Sequence, residues 1–149
     1  MNVSELSNPF VVVAQRATPL TDAARLMREH HVGSLVVVDE GGKGRVPVGM
    51  LTDRDIVVAV VASGVDPRSL TAGEVMSGEL ATVRAADSAE SALQLMRRRG
   101  VRRVPVVSEA GTLTGIVTLD DLLEKVAEQL TDAVRAIAGE QDHEARSRR

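Results

Sequence analysis

The chain of 149 residues is long enough for one ordinary domain or two small repeats, with 44% hydrophobic and 26% charged residues and a net charge of −3. A single aromatic residue, Phe10, excludes the base-stacking platforms of single-strand nucleic-acid readers, and the charge lacks the basic surplus that a phosphate backbone demands. The absence of cysteine removes disulfides, thiolate metal sites and thiol nucleophiles together.

The opening segment MNVSELSNPF lacks the basic stretch and apolar core of a signal peptide. No apolar run reaches the roughly 18 residues of a membrane span, so a cytoplasmic protein is expected. Residues 11–13 read as a short leading strand. Thr18 then offers an N-cap with Pro19 at the first helical position, and Leu20, Ala23, Ala24 and Met27 recur on one face of a helix. The β-branched run at 35–38, the Gly-rich connection DEGGKGRVP and the apolar run at 48–51 predict two strands joined by an exposed hairpin loop. A short helix follows from Asp53 to about Ala62 and is stopped by Ser63-Gly64. VDPRSL is a linker, after which Thr71 with Glu74 starts a small helix.

The same series then recurs. Residues 80–83 form a second leading strand, and Asp87 with Glu90 resembles a capping box. Ala89, Ala92, Leu93 and Met96 repeat the apolar stripe, and Arg97, Arg98 and Arg99 precede a C-cap glycine, Gly100. Strands are expected at 104–107 and 113–117. From Leu119 the apolar positions 119, 122, 123, 126, 130, 133, 134 and 137 keep helical spacing, predicting a helix of about five turns. The polar, aperiodic end GEQDHEARSRR is expected to be a disordered tail.

Sliding the chain along itself shows why the elements recur. An offset of 69 pairs Glu5 with Glu74, Ala23 with Ala92, Met27 with Met96 and Val37 with Val106; after a loop shortened by three residues, an offset of 66 pairs Gly49 with Gly115, Thr52 with Thr118 and Asp55 with Asp121. The expected organisation is repeat one at 1–64, a linker at 65–70, repeat two at 71–138 and the tail at 139–149. Each repeat runs strand, helix, strand, strand, helix, a mixed α/β (α+β) fold. The last helix overshoots its counterpart, and its overhanging apolar stripe needs cover, for which a second subunit is the favoured source.

Chemistry concentrates where the two repeats agree at a strand-to-helix junction, GMLTDRDI at 49–56 and GIVTLDDL at 115–122. Each offers a glycine for close backbone approach, a hydroxyl and free amides at a helix N-terminus suited to an anion, and an Asp one turn along that can accept from the vicinal hydroxyls of a ribose. The competing explanation is that Thr-x-x-Asp is only a helix cap inherited twice. Asp120 and Asp53 could recruit Mg²⁺ with a bound polyphosphate, although acidic first turns ordinarily complement the helix dipole. His30 and His31 are neighbours at a helix end and His143 lies in the tail, so no metal set is expected, and no catalytic constellation stands out.

The paired junctions, EVMS at 74–77 and RRVPVV at 102–107 together resemble tandem cystathionine β-synthase (CBS) domains over about residues 1–130. The resemblance implies two βαββα units packed through their sheets about a pseudo-two-fold axis as a Bateman module. It implies two clefts for adenosine-containing ligands, commonly AMP, ADP or ATP and in some members S-adenosylmethionine or NAD, and no catalysis. It further implies ribose recognition by Asp55 and Asp121 and phosphate recognition by Thr52 and Thr118. The adenine walls would be Val12, Val13, Leu35 and Val36 in repeat one, and Thr82, Val83, Val104 and Pro105 in repeat two. Arg102 and Arg103 match basic positions that reach the phosphates, whereas repeat one has Gly33 and Ser34 there and only Arg54, Lys43 or Arg45 as substitutes. The expected protein is a homodimeric regulatory module with unequal clefts that acts on a separate effector protein. The alternative is a ligand-independent interaction or stress-response scaffold.

Overall fold

The computed structural model describes residues 1–148. Two three-stranded sheets form it. In the first, β1 (Val13–Gln15) runs parallel to β2 (Ser34–Gly41), which pairs antiparallel with β3 (Gly44–Thr52); in the second, β4 (Val83–Arg84), β5 (Arg103–Val107) and β6 (Leu113–Thr118) repeat that order. Equivalent bulges interrupt both hairpins, between Val37 and Val38 and between Val106 and Val107. The leading strands start later than the apolar runs at 11–13 and 80–83 suggest, because strand geometry holds only where the backbone reaches a parallel partner, at Val13↔Val36 and Val83↔Val106. The Gly-rich connection of repeat one is shorter than expected. Pairing continues to Gly41↔Gly44, and Gly44 takes a positive φ of 103° to make the turn.

Helices α2 (Leu20–His30) and α5 (Ala89–Arg99) bury the same stripe, Leu20, Ala23 and Met27 in one and Ala89, Ala92 and Met96 in the other. Their caps differ from expectation. Pro19 itself occupies the N-cap of α2, while the Thr18 hydroxyl accepts from the Gln15 N–H; Ser88 caps α5, and the Asp87 carboxylate accepts from the Arg84 N–H instead. Gly100 closes α5 in the left-handed region at φ 64°, and its counterpart in repeat one is His31 at φ 53°. Helix α3 (Asp53–Asp55) runs into a π-helix, Ile56–Val61. The linker holds a short 3₁₀ turn, Pro67–Ser69, capped by Asp66.

Two four-residue helices tie the repeats together by exchange. Helix α1 (Val3–Leu6) opens repeat one but buries Val3 among Val83, Met96, Val104 and Val117 of repeat two. Helix α4 (Ala72–Val75) opens repeat two but places Ala72 with Leu20, Leu35, Val37 and Leu51 of repeat one. Backbone bonds continue the exchange, with Asn8 and Ile116 bonded both ways at 2.8 and 2.9 Å and Ser77 and Met50 both ways at 2.9 and 3.2 Å. Core ownership therefore does not follow the boundaries at 64 and 71. Gly49 and Gly115 serve this exchange rather than a ligand. A Cβ on Gly115 would lie 2.9 Å from the Asn8 carbonyl oxygen, and one on Gly49 would lie 2.6 Å from that of Ser77.

Helix α6 (Leu119–Ser147) is longer than expected and absorbs the segment read as a disordered tail, of which Arg149 alone lies outside the described residues. At about 1.5 Å per residue its 29 residues span about 43 Å. Lack of apolar periodicity after Ile137 means that nothing packs there; it does not stop a helix, since Glu, Gln, Ala and Arg are good helix formers and no proline intervenes. Leu123, Val126, Leu130, Val134 and Ile137 form an exposed apolar stripe along it.

Candidate ligand-binding clefts

Two clefts lie where the repeats meet. The first, about 320 Å³, takes Thr118 and Asp121 from the start of α6, Phe10, Val11 and Val12 from the segment before β1, His30 and His31 from the end of α2, and Ser34 and Val36 from β2. The second, about 150 Å³, takes Thr52 and Asp55 from the β3–α3 junction together with Ser77, Glu79, Leu80 and Ala81 from the segment before β4. Each cleft is therefore composite: one repeat supplies the Thr-x-x-Asp set and the other supplies the leading segment. A groove of about 370 Å³ lined by Gly33, Ser34, Asp53, Arg54, Arg102 and Arg103 lies between them.

Both Thr-x-x-Asp sets are complete capping boxes. The Thr52 hydroxyl accepts from the Asp55 N–H at 3.1 Å and the Asp55 carboxylate accepts from the Thr52 N–H at 2.9 Å; the matching distances for Thr118 and Asp121 are 3.1 and 3.3 Å. Capping and ligand recognition are compatible here. In each box only Oδ2 of the carboxylate takes part in the cap, and both aspartates line their clefts, so the capping bonds leave Oδ1 unused as an acceptor.

The expected adenine walls divide. Val12 and Val36 line the first cleft. Leu35, Val83 and Val104 are core residues, and Pro105 is fully buried without lining either cleft. Val13, the first residue of β1, lines neither cleft, because alternation along the strand turns it off the face that Val12 presents. Thr82 is exposed, and Ala81, the offset-69 counterpart of Val12, lines the second cleft in its place.

The arginines divide as well. Arg103 lines both clefts and the groove, and its Nη1 donates to the Ser34 hydroxyl at 3.3 Å. Arg102 is turned to Asp120 at 3.2 Å in an exposed ion pair and lines only the groove, as does Arg54. Lys43 and Arg45, on the repeat-one hairpin, line none of these cavities.

Several lining residues escape a residue-by-residue reading of the chain. Phe10, the single aromatic, sits in the first cleft with its ring centroid 5.9 Å from that of His30. His30 and His31 share that cleft because the left-handed cap turns His31 out of the helical register. The offset of 69 marks the asymmetry in advance, since it pairs Phe10 with Glu79 and Ser34 with Arg103. The larger cleft thus has an aromatic wall where the smaller has a carboxylate. Among the described residues, no group of three or more His, Cys, Asp or Glu is placed to hold a metal ion, and no helix is long and apolar enough to cross a membrane.

Known proteins share this architecture. An uncharacterised protein of Methanopyrus kandleri is 36% identical over 124 residues, 83% of this chain and 62% of that protein, so the chain spans under two thirds of its length. Hypoxic response protein 1 of Mycobacterium tuberculosis is 39% identical over 134 residues, 89% of this chain and 91% of that one. The solved structure of Hypoxic Response Protein I, described with two coordinated zinc ions, superposes with a TM-score of 0.73 over 83% of this chain and 98% of the other. The cytosolic domain of the Mg²⁺ channel MgtE, solved in complex with ATP, is 30% identical with a TM-score of 0.70, covering 83% of this chain and 48% of that one. The family model described as "CBS domain" matches twice, at residues 3–62 and 72–128. The chain belongs to the CBS domain family and carries two such domains in tandem.

Proposed function

We propose that this CBS pair is a regulatory module that binds an adenosine nucleotide, AMP, ADP or ATP, and acts on a separate partner protein. The carrying observation is the first cleft. A cavity of about 320 Å³ combines an aromatic and aliphatic wall, Phe10, Val12 and Val36, with the Asp121 carboxylate, the Thr118 hydroxyl at a helix N-terminus and the Arg103 guanidinium. Base, ribose and phosphate each meet a suited group. ATP in the similar MgtE domain supports the ligand class. S-adenosylmethionine and NAD carry the same adenosine moiety and remain within it. Because both clefts are composite, a ligand held between the repeats favours one relative orientation of them, and a partner that distinguishes orientations reads the result. The apolar stripe of α6 supports a homodimer that covers it. We place the module in the cytoplasm and assign it no catalysis.

The completeness of both capping boxes favours one alternative, a scaffold in which Thr-x-x-Asp only caps helices. The double substitution Asp55→Ala with Asp121→Ala separates the two. Under the nucleotide-binding assignment, the wild type shows a thermal shift with adenosine nucleotides and the variant loses it while remaining folded. Under the scaffold assignment neither protein shifts with any of them, and the variant loses about 1 kcal/mol of stability per cap. With no Trp or Tyr in the chain, a 260 nm band in the purified protein directly reports a retained nucleotide, and mass spectrometry names it.

A further inference from the structure

Two clefts related by a pseudo-two-fold axis call for two permanent cations, one at each phosphate end, and among the described residues one arginine or lysine, Arg103, lines them. Position 103 holds arginine, and its offset-69 counterpart, position 34, holds serine. These two equivalent positions touch each other, Arg103 Nη1 to Ser34 Oγ at 3.3 Å, which places the contact on the axis itself. By symmetry Arg103 belongs to the second cleft; by reach it also lines the first, leaning on the buried serine that stands in place of that cleft's own cation. The neighbouring guanidiniums do not substitute, since Arg54 and Arg102 line neither cleft and Arg102 is paired with Asp120.

We infer that the two clefts share the Arg103 guanidinium, so that an anionic ligand in one weakens anionic binding in the other, while a neutral ligand of the same shape fills them independently. One planar fork satisfies one phosphate group bidentately at a time. The coupling is thus carried by the ligand's charge and not by its base or ribose. This inference rests on the adenosine-ligand assignment; the comparison of the two ligands cancels the inequality that Phe10 creates, and the substitutions separate the sharing from the repulsion of an anion by the Glu79 carboxylate.

Calorimetric titration of the full chain at pH 8, above the ordinary imidazole range, with AMP and with adenosine supplies the test. The ratio of the two stepwise constants is compared between the ligands. The expected ratio for AMP exceeds that for adenosine by roughly tenfold or more, the worth of a hydrogen bond to a charged group, and because the Glu79 carboxylate also disfavours an anion in the second cleft, two substitutions decide whether Arg103 is the cause. Ser34→Arg, which gives the first cleft its own cation, brings the AMP ratio down to the adenosine ratio. Arg103→Ala does the same by weakening only the first AMP step, and it stands as the test if the buried substitution at 34 does not fold. Equal ratios in the wild type, an AMP ratio that survives both substitutions, or a single adenosine per chain each overturn the sharing while leaving nucleotide binding intact. Absence of any heat with either ligand overturns the adenosine assignment itself, and the sharing with it.

Discussion

Substituting Val3→Ala perturbs a residue that belongs to repeat one by sequence and to repeat two by packing. Val3 is fully buried against Val83, Val104, Val106 and Val117, and its N–H donates to the Asp87 carbonyl at 2.8 Å. The change removes two methyl groups, about 0.8 kcal/mol each in transfer terms. An unfilled cavity adds about 24 cal/mol per Å³ and raises the loss to about 2–3 kcal/mol. For a chain of this size that is a fall in Tm of roughly 5–10 °C. Urea unfolding is followed by circular dichroism at 222 nm, since no Trp or Tyr is present to report by fluorescence, and the midpoint is expected to fall at unchanged slope. Native-state amide exchange identifies where the fold loosens. Faster exchange is expected in β5 and β6, with β2 and β3 little affected. A loss below about 0.5 kcal/mol, or loosening confined to β2 and β3, refutes the exchange of short helices.

Three further outcomes are expected. His31→Gly relieves a non-glycine residue held at φ 53°, where the equivalent helix already uses Gly100, and thermal unfolding of the unliganded protein shows a gain of about 0.5–1 kcal/mol. Phe10→Ala removes the only aromatic wall of the first cleft, and adenosine affinity measured by calorimetry falls about tenfold or more, within the usual worth of base stacking on an aromatic side chain; an unchanged affinity places the base elsewhere. Replacing Leu130 and Ile137 together by Glu puts charge into the exposed stripe of α6, and sedimentation shows a dimeric wild type becoming monomeric with its helix content retained.

Much of the architecture is legible in the chain because it rests on periodic patterns. Leu20, Ala23 and Met27 against Ala89, Ala92 and Met96 declare both the helices and the duplication, and Thr52, Asp55, Thr118 and Asp121 mark the junctions that the clefts are built on. The exchange is not legible, because VSEL and AGEV are four residues each, too short to show which core their single buried side chains enter. Leu35, Val83 and Val104 miss the clefts for a local reason: alternate side chains of a strand face opposite sides, so Val36 turns to the first cleft while these three enter the cores. Arg103 illustrates a different limit. Its residue type announces anion binding and the family resemblance places it near enough to the axis to serve either cleft, but its contact with Ser34 depends on a side-chain direction that no spacing encodes.

The crossing of α1 and α4 between repeats also makes association an internal property of the chain. A single repeat made alone would leave a strip of its core bare and would carry, on its own leader, the piece that fits the same strip of another copy. Such a fragment completes itself only by pairing, and its stability would depend on protein concentration. Here the connection through Pro67–Ser69 turns that pairing into a unimolecular step, in which tethering sets an effective concentration that dilution does not change. The interface that holds both clefts is therefore present at any protein level.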